Sequence, residues 1–302
     1  MGTLPSRPMP RDLLGYGATP PDPRWPGGAR VAVSFVLNVE EGAETSVAEG
    51  DSRNEAVYEV IDRLEGLPDP CLESHFDYGT RVGWWRIMKV FDDAVARCTV
   101  SACGRAVERT PSLAADAVRR GHEVSAHGWR WESHAGMAEA DERAAIARTV
   151  AAIERATGVR PVGWHTRSAS SPNTRRLLIE EGGFLYDSDW YGDDLPTTLR
   201  FGERRHVVLP YAFDTNDMQF QNTHRFVRAY DFSGYVLDAF DWLWREGAHA
   251  PRMMSVGLHL RMLGRPGRMQ ALVDILVEMT RRPGVWIARR DEIARHWVSS
   301  GG

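Results

Sequence analysis

The sequence predicts an α/β fold, a parallel sheet or barrel with helices packed outside it. Three observations predict it. Short apolar, β-branched runs alternate with helix-patterned segments along the whole chain. The first run, residues 30–37 (RVAVSFVL), is nearly all apolar, as a strand covered on both faces must be. Glycines stand where several helices would end, at Gly121, Gly158, Gly182 and Gly247.

The elements follow in order. Residues 1–29 are rich in Pro and Gly (Pro20, Pro21, Pro23, Pro26, Gly27, Gly28) and read as an extended arm, because proline lacks the N–H that a helix interior needs. Strands are predicted at 30–37, 98–102, 123–126, 162–164, 206–209, 254–258 and 285–288. Helices are predicted between them at 84–95, 112–120, 138–156, 173–181, 230–246 and 267–282. The clearest is 138–156, where Ile146, Val150 and Ile153 make one buried stripe. No internal repeat, low-complexity tract or linker interrupts 30–298, so residues 30–302 read as a single domain.

Charge and composition exclude several functions. The chain has 302 residues, 37 basic and 41 acidic, for a net charge of −4. That gives no basic field to hold nucleic acid or an anionic membrane. Only Lys89 among the basic residues is lysine, and no glycine-rich loop precedes it, which excludes P-loop phosphate chemistry and leaves Schiff-base chemistry without a supply of lysines. Cys71, Cys98 and Cys103 show neither C-x-x-C nor zinc-finger spacing. No apolar run has signal-peptide length, and none reaches the roughly 18 residues that span a bilayer. The match of Gly2 to Ser6 to a myristoylation pattern is a chance one. These features predict a cytoplasmic, reduced protein.

In parallel α/β architectures the working residues gather just past the carboxyl ends of strands. Four such ends here carry His or paired carboxylates. Asn38-Val39-Glu40-Glu41-Gly42 follows the first strand, and His127-Gly128-Trp129-Arg130-Trp131-Glu132-Ser133-His134 follows the strand at 123. His165-Thr166-Arg167 follows Trp164. His259 and Arg261, then Gly264-Arg265-Pro266-Gly267-Arg268, follow the strand at 254. Singly, each has a structural explanation: a solvated loop for the carboxylates, a satisfied buried imidazole for each histidine, a helix-entering turn for the glycine–proline segment. Together, in this order, they form a signature.

The order, carried by PDPRWPGGARVAVSFVLNVEEG, HGWRW, SSPNTRRLLIEEGGFLYDSD, FDTNDMQF and GLHLRMLGRPGR, resembles the polysaccharide-deacetylase superfamily and, within it, the cofactor-independent allantoinases and related cyclic amide hydrolases. The likeness runs from Arg11 to Trp297. It implies an irregular (β/α) barrel of about seven parallel strands. It also implies that Glu40 is the general base, that Glu41 falls on a metal-ligand position, and that His259 is the acid. The metal motif His-x-x-x-His falls on His127 and Trp131, and indole cannot bind zinc as imidazole does. An arginine that orients the base in many relatives falls on His165. Asp187, in Tyr186-Asp187-Ser188-Asp189, matches a segment lining the site.

The expected activity is hydrolysis of a carbon–nitrogen acyl bond, with Glu40 taking a proton from water and His259 giving one to the leaving nitrogen. Arg130, Arg261, Arg265 and Asn216, with Glu41, His127, Trp131, His165 and Asp187, are expected to line a pocket for a small substrate rich in carbonyls and ureas. Ring opening of allantoin or a related hydantoin or cyclic imide, a reaction of purine catabolism, fits best. The alternatives are N-deacetylation of a carbohydrate, hydrolysis of another small amide, and a non-catalytic small-molecule-binding role. The departures at His75, His165 and Ser168 leave specificity open. No cofactor is expected; the alternative is one divalent metal such as Zn, on Glu41 and His127. The expected partners are the small-molecule substrate and copies of the same chain in a homo-oligomer, with no nucleic acid and no membrane.

Overall fold

The computed structural model describes residues 11–57, 62, 64–221 and 226–301. The Gly2 to Ser6 pattern lies outside these residues. The strands are β1 (Val31–Val39), β2 (Thr99–Ala102), β3 (Glu123–Ala126), β4 (Gly163–Trp164), β5 (Tyr186–Asp187), β6 (Thr197–Phe201), β7 (Arg204–Val208), β8 (Arg252–His259) and β9 (Val285–Ile287). The helices are α1 (Pro70–Tyr78), α2 (Trp84–Asp93), α3 (Gly104–Arg109), α4 (Pro111–Arg119), α5 (Glu139–Thr157), α6 (Thr174–Glu181), α7 (Ala229–Glu246), α8 (Leu260–Leu263), α9 (Met269–Arg281) and α10 (Arg290–Ser299).

The sheet runs β6-β7-β5-β4-β3-β2-β1-β8, with β9 sharing one edge of β1 with β2. Every pairing is parallel except the β6–β7 hairpin. This is a curled, mostly parallel α/β half-barrel, as expected, with the hairpin as the departure from an all-parallel sheet. On the far side of β8 the segments flanking the β6–β7 hairpin take the place of a strand: Met253 N–H donates to Asp194 O, before β6, and Gly257 N–H to Thr215 O, after β7.

All nine residues of β1 are buried. Side chains two apart in a strand share a face, so Val31, Val33, Phe35, Leu37 and Val39 pack into the main core against α2, α7 and α9. Full burial of such a side chain is worth about 1.5–3 kcal/mol. The alternate residues Ser34, Asn38 and then Glu40 face the barrel interior and are also buried. The outer face holds the fold together; the inner face carries polar groups.

Two details correct the sequence reading. Gly158 and Gly182 end α5 and α6 in left-handed conformation, and Gly121 is left-handed too, but Gly247 closes α7 at φ −62° and uses none of that freedom. Four helices had no prediction: α1, α3, α8 and α10. The described part of the N-terminal arm packs on its own chain: Trp25 is buried against Trp286, His296 and Trp297 and donates from Nε1 to Arg252 O at 2.9 Å.

A π-helical turn, Gly79–Gly83, joins α1 to α2 and lies against α8. A Cβ at Gly83 would stand 2.3 Å from Leu260 O, and one at Gly264 would stand 2.4 Å from Gly83 Cα. Two backbones touch where only hydrogens fit. Gly83→Ala is therefore expected to destabilise the protein by about 1–3 kcal/mol, the usual range for overpacking, read as a lower denaturant midpoint. An unchanged midpoint would show that this contact relaxes freely.

Candidate active site

Strand register assembles the site. Val39 pairs with Ala102, Ala102 with Ala126, and Ala126 with Trp164, while Asn38 pairs with His259. One residue further along, Glu40, His127 and His165 leave the rim at one height on the interior face. His259, the last residue of β8, stands beside Glu40. Four residues spread over 220 positions of sequence meet because four neighbouring strands end together.

Glu40 is the centre. Its Oε1 lies 3.4 Å from His127 Nε2 and 3.4 Å from His259 Nε2, and its Oε2 accepts a 2.8 Å hydrogen bond from Arg261 Nη1. Arg261 Nη1 is also 3.4 Å from Glu41 Oε1. Glu41 accepts at Oε2 from the Glu40 N–H (3.0 Å) and at Oε1 from the Arg261 N–H (3.3 Å). A Cβ at Gly79 would stand 2.5 Å from Glu41 Oε1, so the glycine makes room for this carboxylate. His127 Nδ1 donates to His165 O at 2.8 Å, which fixes the ring with Nε2 toward Glu40. The His127 and His165 rings stack at 5.1 Å, 6° from parallel, and His165 packs 4.3 Å from the Tyr211 ring. Asn38, one turn of the pleat below Glu40, donates from Nδ2 to Tyr211 Oη and to Leu258 O.

His259 has a partner that sequence reasoning missed. Asp217 Oδ1 accepts a hydrogen bond from His259 Nδ1 at 2.6 Å, and Asp217 Oδ2 accepts from the His259 backbone N–H at 2.8 Å. Both residues are buried. The signal was available, since Asp217 lies inside FDTNDMQF, beside the Asn216 that was named.

Burial and charge set the protonation states. Burial pushes the Glu40 carboxyl up, but His259 and Arg261 outweigh it and hold Glu40 well below the usual carboxylate range. Burial pushes His259 down; Glu40 and Asp217 outweigh that and raise it to about 9. Glu40 is thus an anion and His259 a cation at neutral pH. Burial also pushes Glu41 up against the pull of Arg261, pushes Glu44 up to about 7, and pushes His165 down. Cys103 donates to His127 O near the site, but burial, then Glu40 and Glu41, keep its thiol protonated, so it is no nucleophile.

Of the predicted site residues, the structure gathers Glu40, Glu41, His127, Trp131, His165, His259 and Arg261. The others are committed elsewhere. Arg130 makes a two-pronged ion pair with Asp51 (2.6 and 2.5 Å) and donates to Glu44 O, tying down the loop after β1. Asp187 ends β5 level with Trp164, on the face opposite His165; Arg175 (2.7 and 2.9 Å) and His206 (2.8 Å) take its oxygens. The parity of the strand, not its place at a strand end, decides this. Asn216 Oδ1 accepts from Met218 N–H and its backbone bridges to Gly257, so it shapes the turn that presents Asp217. Arg265 lies over the Tyr78 ring at 3.7 Å with Nη2 3.0 Å from His75 Nδ1. His165 stands where an orienting arginine was expected, and the arginine on the base comes from after β8 instead.

The Glu41–His127 pair named for a metal is not formed: His127 faces Glu40, and Glu41 is held by Arg261. Trp131 turns its ring to Arg261 (4.6 Å) and Arg167 (3.6 Å). Among the described residues no group of three or more His, Cys, Asp or Glu is arranged to hold a metal ion, whereas catalytic zinc normally keeps three protein ligands. No described helix is long and apolar enough to cross a membrane.

Comparison with known proteins agrees with this architecture. The polysaccharide deacetylase family profile matches residues 65–186. A putative polysaccharide deacetylase of Schizosaccharomyces pombe is 35% identical over 312 residues, covering 95% of this chain and 96% of its own. The crystal structure of a probable polysaccharide deacetylase from Pseudomonas aeruginosa superposes with a TM-score of 0.93 at 46% identity, over 97% of this chain and 99% of the other. That of PuuE allantoinase does so with a TM-score of 0.92 at 44% identity, over 97% and 98%. On its strand order, its rim of acid and histidine, and these full-length matches, the chain belongs to the polysaccharide deacetylase superfamily.

Proposed function

We propose that the protein is a hydrolase that opens a cyclic amide, with allantoin or a related hydantoin or imide as substrate. The carrying observation is a buried carboxylate, Glu40, 3.4 Å from the imidazoles of both His127 and His259, the latter held by Asp217, in a chain that aligns with an allantoinase over nearly its full length.

Glu40 Oε1 takes a proton from water, and the oxygen attacks the carbonyl carbon of the ring amide. The carbon–nitrogen bond breaks, and its electron pair goes to the nitrogen, which takes the proton on His259 Nε2. Resting Glu40 is a weak base because two cations face it. As His259 gives up its proton, one of those cations disappears and Glu40 becomes the stronger base, so the two transfers support each other. Asp217 keeps the other nitrogen of His259 protonated and holds Nε2 toward Glu40. In a ring the leaving nitrogen stays tethered, and its protonation needs no departure of product. The products are a carboxylic acid and a neutral N–H, and the proton on Glu40 passes to His259 Nε2, 3.4 Å away, which restores both groups.

Deacetylation of an N-acetyl sugar is the second reading, favoured by the names of the curated relatives. A panel of allantoin, hydantoin, dihydropyrimidine, cyclic imide and N-acetyl sugars separates the two. Ring opening of a cyclic member without acetate release is the expected result. Acetate release from a sugar with every ring intact would overturn the reading.

A further inference from the structure

We propose that Arg261 is the resident cation of this site, a fixed positive charge on the Glu40–Glu41 pair that takes the place of a divalent ion on Glu41, and that Trp131 is the seat that holds it. The inference rests on the amide-hydrolase reading for its catalytic meaning, but its structural claim stands apart.

Arg261 has no exposed surface, and no other cation is within ion-pair distance of both carboxylates among the described residues. One nitrogen, Nη1, spans Glu40 Oε2 and Glu41 Oε1 at 2.8 and 3.4 Å, so a single positive charge serves both carboxylates. The guanidinium carbon lies 4.6 Å from the ring centres of both Phe76 and Trp131, a cation–π arrangement with desolvated partners. Its Nε and Nη2 meet no hydrogen-bond acceptor among the described residues, so ring faces and two carboxylates are what keep it in place.

Trp131 in turn is held by Arg167, whose guanidinium carbon is 3.6 Å from the ring centre and which pairs with Glu55 at 2.9 and 3.0 Å. An imidazole at position 131 would lose much of that ring face and add a ligand; the indole does the reverse. Arginine is fixed in charge at any working pH, cannot be chelated, and excludes a second cation by repulsion. Arg261 fixes both carboxylates from one side and so acts on the reaction as a positioning residue.

Equilibrium dialysis of the full-length protein against micromolar zinc, followed by elemental analysis, tests this without any substrate, so its failure is separate from failure of the hydrolase reading. The wild type is expected to retain well under 0.1 equivalent, on the order of adventitious binding, since it lacks the three ligands of a zinc site. The double variant Trp131→His with Arg261→Ala, checked for folding by circular dichroism, is expected to retain about one equivalent, because it restores a ligand and removes the competing charge. Near-stoichiometric zinc in the wild type overturns the inference. So does a folded double variant that retains no more than the wild type. In a second readout, Arg261→Met is expected to move the acid limb of the pH–rate profile upward, and Arg261→Lys to leave it nearly in place. An acid limb unmoved in Arg261→Met overturns the electrostatic role.

Discussion

Glu40→Gln lowers kcat by about 10²–10⁴-fold, the usual contribution of a general base, while the protein stays folded. The amide keeps the size and the acceptor that Arg261 Nη1 meets at 2.8 Å, but it cannot take a proton from water. It also takes one anion away from His259, whose raised proton affinity depends on Glu40 and Asp217. Substrate binding should change less than turnover, because the loss falls on the transition state. Steady-state kinetics on whichever ring the substrate panel selects reads both. Turnover within threefold of wild type would remove Glu40 from the chemistry.

Asp217→Asn is expected to lower turnover nearly as far, again by about 10²–10⁴-fold. Asparagine can meet His259 Nδ1 with an oxygen, but it no longer supplies the charge that holds the imidazolium. Stability changes with pH in a defined direction. The folded proton affinity of His259, about 9, lies above its ordinary value of 6.5, so the pairing stabilises the fold fully below about 6.5 and is lost as pH rises through about 9. Asp217→Asn should flatten that alkaline decline in thermal midpoint. His259→Ala should abolish it and lower turnover as well. An alkaline decline identical in all three proteins would assign it to other groups.

Much of this site was legible as residue types at strand ends. Glu40, His127, His165 and His259 each follow a buried run, and the register of β1, β3, β4 and β8 then places them on one rim. What could not be read was which oxygen meets which nitrogen. Arg261 looked like a pocket donor because nothing local shows that two carboxylates 220 positions away hold it. Asp187 looked like a lining residue because it ends a strand, but one step of the pleat turns it to Arg175 and His206. Arg130 was read as facing substrate, and its partner Asp51 lies in a loop without periodicity.

The missed helices divide differently. For α1 the cues were present: Pro70 opens it and Asp69 caps it by accepting from Leu72 N–H, a start that the residues spell out locally. For α10, Glu292 accepts from the Arg289 N–H at 2.9 Å at the helix start, and Ile293, Ala294 and Trp297 are buried. The glycines of the π-helical turn had no such cue. Gly79 and Gly83 are required by Glu41 and by the backbone of α8, which are tertiary neighbours.

The pH dependence of kcat/KM on the ring substrate tests the central claim most directly, that an ionised Glu40 works beside a protonated His259. Glu40 lies well below the ordinary carboxylate range and His259 near 9, so the profile is predicted to be flat across neutrality and to fall above about pH 9. Asp217→Asn should bring that alkaline fall to lower pH, since the imidazolium loses one of its two anions. A rate that climbs steadily through pH 9, with no fall that Asp217→Asn can move, would mean that His259 works unprotonated and would contradict the account.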